Sequence, residues 1–248
     1  MNKDREKSIL QIIAREKTVT VDSLAKRLYA SVSSVRRDLS SLASQGLVQR
    51  VHGGAVLVEN NNSLLKIPFV IRELEQSDAK LMIAKKAAEL VHDGDFIMMD
   101  ASSSAYGILP FLTGKRNLTV ITSGIKTLSR AGEYGINAYS TGGKLIASCQ
   151  SLTGEDALST IDRYCPDILF FSCRGLSEDG FLTDFSLEEN QIRKKMLTKA
   201  KKRVLLCDSR KFGQQYPGIL CSLKDIDYLI SDGDAPAFAK QFPDLTVL

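Results

Sequence analysis

The sequence predicts two domains of different class, a small N-terminal winged helix-turn-helix and a larger doubly wound α/β domain. Three observations carry that prediction. Residues 1–57 read helix, helix, tight turn, helix and a hairpin around Gly53-Gly54. From residue 94, short unbroken apolar runs alternate with helical patterns, as in parallel strands covered by helices on both faces. Charge also divides between the two parts. Residues 1–56 hold ten Lys/Arg against five Asp/Glu, net +5, while the other 192 residues net −1. A chain of 248 residues with 44% hydrophobic and 25% charged side chains has the composition of a globular protein, which excludes disorder and disulfide-dense miniproteins.

The elements follow in order. A first helix runs from Asn2 or Lys3 to Arg15, with Ile9, Leu10, Ile12 and Ile13 as its apolar stripe. Val19 and Val21 make a short extended step, and Thr20 caps a second helix carrying Leu24, Ala25 and Leu28. After the turn Tyr29-Ala30-Ser31, Ser31 caps a third helix from Val32 to about Ser44, which Gly46 ends. Leu47–Arg50 and Ala55–Val58 are the hairpin strands. Glu59–Ser63 is polar and turn-prone, so residues 58–76 are expected to be a linker and connecting helix, with an effector-sensing domain over 77–248. Helical patterns cover Pro68–Glu75 and Asp78–Val91. Expected strands are Phe96–Met99, Leu118–Ile121, Ala138–Ser140, Ile168–Phe171, Val204–Cys207 and Tyr228–Ile230. A helix over Ser186–Ala200 has Ser186 and Glu189 spaced as a capping box and a stripe of Ile192, Met196, Leu197 and Ala200.

On a helical wheel of the third helix, Val32, Val35, Leu39, Leu42 and Ala43 share one arc. Ser33, Ser34, Arg37, Ser40, Ser41 and Ser44 share the other, with Arg36 on the shoulder. Small hydroxyls around a long cation suit a helix entering the major groove, where arginine grips guanine N7 and O6. Arg50 and His52 near the hairpin tip are placed to touch the backbone or minor groove. The predicted partner is double-stranded operator DNA, read by Ser31, Ser33, Ser34, Arg36, Arg37, Arg50 and His52. On composition alone, two arginines on a solvated face are an equally ordinary finding.

In open α/β sheets, ligands bind at the carboxyl ends of the strands. The expected strands end in Asp100-Ala101-Ser102-Ser103-Ser104, Thr122-Ser123-Gly124, Thr141-Gly142-Gly143-Lys144, Ser172-Cys173-Arg174-Gly175 and Asp208-Ser209-Arg210-Lys211. Hydroxyls and backbone N–H groups there suit a phosphate, Arg174 and Lys211 add charge, and Asp100 and Asp208 suit sugar hydroxyls. Turn chemistry alone also enriches such loops in Ser, Gly and Asp. The predicted effector site comprises Asp100, Ser102, Ser103, Ser104, Thr122, Ser123, Gly142, Gly143, Arg174, Asp208 and Lys211.

Leu24-Ala25-x-x-Leu28, Ser31, Val35-Arg36-Arg37-Asp38-Leu39, Gly46-Leu47, Arg50 and His52-Gly53-Gly54-Ala55 closely resemble the N-terminal signature of the DeoR family of bacterial transcription regulators. The resemblance continues through Gly94-Asp95, Asp100, Leu118–Thr122, Thr141-Gly142-Gly143, Asp167, Phe170, Gly175, Gly180, Glu189, Met196 and Asp208-Ser209-x-Lys211-Phe212. It implies a DNA-reading third helix and a sensor domain similar in fold to ribose-5-phosphate isomerase. It also implies a phosphorylated sugar or related effector, repression of a carbohydrate operon, and a homo-oligomer (dimer or tetramer). Departures from the family are Tyr29-Ala30 and Val32-Ser33-Ser34, unusual fillings of the turn and helix start, together with Ser102 in place of a glycine, Arg174 where Asp or Asn is frequent, and Asn190 in place of an alanine.

Two other readings stay open on the residues alone. An isomerase would draw on Asp100, Asp208, Glu189 and Lys211, but the Asp-Gly-Ala-Asp string of ribose-5-phosphate isomerases is missing. A redox regulator would use Cys173 and Cys207, beside Arg174 and Arg210. No catalytic residue, metal or cofactor is predicted: two histidines, His52 and His92, make no HExxH, and there is no P-loop or G-x-G-x-x-G. The five cysteines form no CxxC pair and read as reduced thiols, mostly buried. Without a signal-peptide pattern or an apolar run of about 18 residues, the expected location is the cytoplasm, with no membrane partner.

Overall fold

In the computed structural model, residues 3–57, 68–75, 77–234 and 236–248 are described. Tertiary contacts divide the chain into Met1–Glu75 and Gln76–Leu248.

In the first unit, α1 (Lys3–Glu16) buries Ile9, Leu10 and Ile13, the stripe its sequence spacing predicts. β1 (Thr18–Thr20) leads into α2 (Val21–Arg27), whose Thr20 Oγ1 accepts from the Ser23 N–H at 3.2 Å. α3 (Val32–Ser44) is capped as expected by Ser31, whose Oγ accepts from the Ser34 N–H at 3.2 Å. β2 (Val48–Val51) and β3 (Gly54–Leu57) form the wing, and β1 joins them antiparallel in the order β1-β3-β2. Gly54 is required where β1 crosses, because a Cβ there would lie 2.1 Å from the Val19 carbonyl oxygen. α4 (Phe69–Leu74) buries Ile71 in the same core as Ile9, Leu24 and Leu39, so it packs with this unit. Val58 and the polar stretch Glu59–Ser63 lie outside the described residues.

The second unit opens with α5 (Ser77–Glu89), β4 (Phe96–Met99), α6 (Ser103–Tyr106), β5 (Thr119–Thr122), α7 (Ile125–Glu133) and β6 (Asn137–Ser140). A hairpin, β7 (Lys144–Ile146) and β8 (Ser151–Thr153), precedes α8 (Glu155–Asp162) and β9 (Ile168–Phe171). Then come β10 (Gly175–Leu176), β11 (Phe181–Asp184), α9 (Leu187–Leu197), β12 (Lys202–Leu206), β13 (Gly218–Ser222), β14 (Tyr228–Ile230) and β15 (Thr246–Val247). Seven strands make one sheet, ordered β15-β14-β12-β9-β4-β5-β6, and every pairing in it is parallel. β10, β11 and β13 form a small antiparallel sheet beside it.

The unbroken apolar runs have the predicted cause. Ile97 and Met99 face one apolar cluster with Ile83 and Ala87 of α5, while Met98 faces another with Ile161 of α8 and Ile192 of α9. A strand with helices on both faces must be apolar on both. The capping box on α9 is only half made. Ser186 Oγ accepts from the Glu189 N–H at 3.3 Å, but the Ser186 N–H goes to Asp184 Oδ1 at 3.4 Å rather than to Glu189. Among the described residues no helix is long and apolar enough to cross a membrane.

Candidate functional site

In the first unit, α3 presents Ser33, Arg36, Arg37 and Ser40 to solvent and buries Val35, Leu39 and Leu42. Ser31 and Ser33 hydroxyls lie 3.0 Å apart, and the Ser31 hydroxyl donates to Ser34 Oγ at 2.9 Å, so the helix begins in a polar knot. The wing touches the helix: Arg50 donates to the Arg36 carbonyl at 3.0 Å and to Ser40 Oγ at 3.3 Å. Arg36 and Arg37 make no ion pair among the described residues. His52 is exposed in the hairpin turn. Two free guanidinium groups on a face of short side chains can hydrogen-bond base edges or phosphates.

In the second unit, five strand ends share one edge because their strands are parallel. At its centre Arg193 of α9 is buried among carboxylates. It reaches Asp100 at 3.0 Å, Asp184 at 2.8 Å and Glu189 at 3.9 Å, and donates to Asn190 Oδ1 at 3.1 Å. Burial alone would lower the Arg193 pKa, but Asp184, Asp100 and Glu189 together hold it above the ordinary value. Burial likewise pushes Asp184 up, and Arg193 overrides it, leaving that carboxyl below the usual range. Asp100 also accepts from the Ser102 N–H at 3.0 Å and the Ser172 N–H at 3.2 Å. Beside it Lys211 pairs with Asp208 at 3.3 Å and donates to Ser172 Oγ at 2.9 Å.

The neutral donors lie next to this knot. Ser102 caps α6, accepting from the Ala105 N–H at 3.1 Å, and Ser103 and Ser104 form its buried first turn. Thr122 Oγ1 accepts from the Gly124 N–H at 2.9 Å, and Gly124 opens α7 with no side-chain cap. Gly124 lets this turn approach β4's loop, since a Cβ there would lie 3.1 Å from Ala101 Cα. Thr127 Oγ1 and Glu189 Oε1 are buried without a hydrogen-bond partner among the described residues. Gly142 and Gly143 take φ of +67° and +97°, and a Cβ on Gly143 would meet the Thr153 carbonyl oxygen at 2.4 Å.

Residues 5–61 match the family described as DeoR-like helix-turn-helix domain, and residues 75–233 match the DeoR C terminal sensor domain. The chain belongs to the DeoR family. It is 32% identical to the HTH-type transcriptional regulator GolR of Listeria innocua, over 97% of this chain and 95% of that protein. It is 29% identical to the L-fucose operon activator of Haemophilus influenzae, over 98% and 99%. It is 26% identical to the glycerol-3-phosphate regulon repressor of Escherichia coli, over 96% and 93%. This DeoR-family chain is a transcription regulator, as those relatives are. Among solved structures, ribose 5-phosphate isomerase A from Methanocaldococcus jannaschii has a TM-score of 0.43 and 22% identity, covering 56% of this chain and 55% of that one.

On this DeoR fold the predicted residues are distributed unevenly. Asp100, Ser102, Ser103, Ser104, Thr122 and Ser123 are buried at the shared edge, with Asp208 beside them. Asp100, Asp208 and Lys211 are already engaged within the protein. Arg174 stands apart from the ion cluster, its guanidinium 6.0 Å from the Tyr216 ring centroid. Val32, placed on the apolar arc of the wheel, is 37% exposed at the first helical position. Sequence reading missed Arg193, Asp184 and Thr127, and missed that Asp38 is buried against Arg5, whose Nη2 donates at 3.2 Å. A cation and a carboxylate on the inner side of amphipathic helices were the available signals. Cys173 and Cys207 lie side by side in the apolar cluster just beyond the ends of β9 and β12, and Cys165 is exposed.

Proposed function

We propose that this regulator reads operator DNA through the exposed face of α3, and that a phosphorylated sugar or related metabolite at the strand ends changes its operator affinity. The effector half is carried by one observation: the openings of α6 and α7 converge on the same parallel-sheet edge beside Thr127 Oγ1 and Glu189 Oε1, which are buried without a hydrogen-bond partner among the described residues. Arg193 and Lys211 are outnumbered by Asp100, Asp184, Glu189 and Asp208, so they have little charge to offer a ligand. The phosphate is therefore met by neutral donors of residues 102–104 and 123–127, with exposed Lys126 at the rim. The Glu189 carboxylate accepts from a sugar hydroxyl. The regulator acts as a homo-oligomeric repressor of a carbohydrate operon, a reading supported by relatives named for fucose and glycerol 3-phosphate.

The test is a thermal-shift panel of matched sugars and sugar phosphates, followed by DNA binding with each hit. A ligand at a hundred times its Kd adds about 2.7 kcal/mol to the state it binds. Phosphorylated members should raise the Tm and change DNA affinity, while their unphosphorylated twins should do neither. Equal shifts from both would remove the phosphate, and shifts with no effect on DNA would remove the regulatory role.

A further inference from the structure

Tyr29, in the turn between α2 and α3, is a bulky and fully exposed side chain that folding alone does not account for. Its side chain is 98% exposed, so it buries almost nothing. Its φ of +49° is in the left-handed region, which glycine and asparagine adopt readily and a bulky residue does not. Its hydroxyl has no partner among the described residues. The left-handed turn itself ends α2, with the Ala30 N–H on the Ala25 carbonyl at 3.0 Å, and glycine would serve it best; a bulky, fully exposed tyrosine at that position is what the fold does not explain.

The location indicates what that is. In a helix-turn-helix, the second helix enters the major groove while the first crosses the backbone, so the turn joining them lies where groove and phosphates meet. Tyr29 forms one wall of a cleft of about 530 Å³ between this turn and α1. Arg5 and Ser8 of α1 and Ser31 and Ser34 also line it, and Asp4 is the acid among them. Tyrosine hydroxyls are among the groups that donate to DNA phosphates. We infer that Tyr29 is a DNA-backbone contact, its phenolic O–H donating to a phosphate oxygen at the edge of the groove that α3 enters. The assignment rests on α3 as the reading helix and adds a positioning residue outside it.

A backbone contact needs no knowledge of the operator, so the probe is a random-sequence duplex at low salt, titrated with the full chain by fluorescence anisotropy. Tyr29→Phe should weaken binding about tenfold to a hundredfold, the effect of one lost hydrogen bond to a charged acceptor. The salt dependence should stay unchanged, because no cation is removed. Tyr29→Gly should lose at least as much affinity while its Tm holds or rises, since glycine relaxes the left-handed turn. A purely structural tyrosine predicts a falling Tm instead. The inference is overturned if Tyr29→Phe binds as tightly as the wild type, or if Tyr29→Gly loses Tm and affinity together. A loss confined to duplexes selected for tight binding would also overturn it, because that is base reading. Arg37→Ala on the selected duplexes keeps the two assignments separate. If it binds them normally, α3 is not the reader, whatever Tyr29 does.

Discussion

Asp38 and Arg37 are adjacent in sequence and opposite in fate. Arg37 is exposed on α3, whereas Asp38 is 1% exposed and held by Arg5 from α1. Period alone separates them, since one step of 100° turns a residue from groove face to core. The wheel gave the exposed face correctly because serines and arginines cluster there. It had no place for a buried carboxylate, whose partner lies 33 residues away. Removing Arg5 strands that carboxylate among apolar neighbours, a more damaging change than deleting the pair altogether. Arg5→Ala should therefore lower the urea midpoint well beyond Arg36→Ala, and Arg5→Leu with Asp38→Leu should recover part of the loss. Equal midpoints for Arg5→Ala and Arg36→Ala would show that the pair contributes nothing. Gly53 and Gly54 divide labour in the same way. The sequence marks both as one turn, yet Gly53 supplies a φ of +73° while Gly54 supplies clearance for Val19. Gly54→Ala sets Cβ against a backbone oxygen that cannot rotate away. It should cost about 2 kcal/mol or more by circular-dichroism melting, with Gly53→Asn nearly neutral.

Among the elements, α9 shows best what periodicity reveals and what it conceals. Its start at Ser186 and its stripe of Ile192 and Met196 are legible, because caps and apolar spacing are local signals. Its role as carrier of Arg193 is not, because Asp100 lies 93 residues away and a basic residue on a helix usually faces solvent. The strand ends were legible for a different reason: parallel strands point the same way, so whatever follows each apolar run gathers at one edge. Arg193→Met leaves Asp100, Asp184 and Glu189 buried without their cation and should cost about 3–5 kcal/mol. The pH dependence supplies a second readout. Asp184 is held below its ordinary value in the folded chain, so its stabilisation is present above about pH 4 and is lost as pH falls through the folded value. The wild type should thus lose Tm on acidification below about pH 4. In Arg193→Met the burial of Asp184 is no longer opposed, so its carboxyl takes up a proton more readily folded than unfolded and the Tm should rise on going from about pH 7 to about pH 5. Parallel Tm–pH curves for the two proteins would exclude Arg193 as the group that sets Asp184.

For the whole molecule, the informative quantity is the charge division. The net +5 of residues 1–56 against −1 for the remainder assigns the polyanion to one unit before any motif is read. The domain edge was harder to place from sequence, because polarity marks where a linker begins and gives no sign of which core claims the next helix. α4 lies beyond the polar stretch, yet Ile71 is buried with Ile9 and Leu39, and Lys17 pairs with Glu75 at 3.0 Å. A fragment ending at residue 57 therefore lacks a side chain that completes its core. Burying an isoleucine is worth roughly 1.5–3 kcal/mol, so residues 1–75 should exceed residues 1–57 in unfolding free energy by about that amount. Urea denaturation of the two peptides measures this directly, and equal stabilities would return α4 to the linker. The longer fragment should also retain binding to a random duplex with a steep salt dependence, since the excess of cations, ten Lys/Arg against five Asp/Glu in residues 1–56, lies within it. Residues 76–248 should bind no DNA yet keep any thermal shift with a phosphorylated sugar. In the intact chain the two activities must be reciprocal: an effector that weakens operator binding tenfold is itself bound tenfold more weakly on the operator. If residues 1–75 alone bound operator as tightly as the intact chain with or without effector, the sensor would have no hold on DNA affinity, and regulation would have to act through assembly instead.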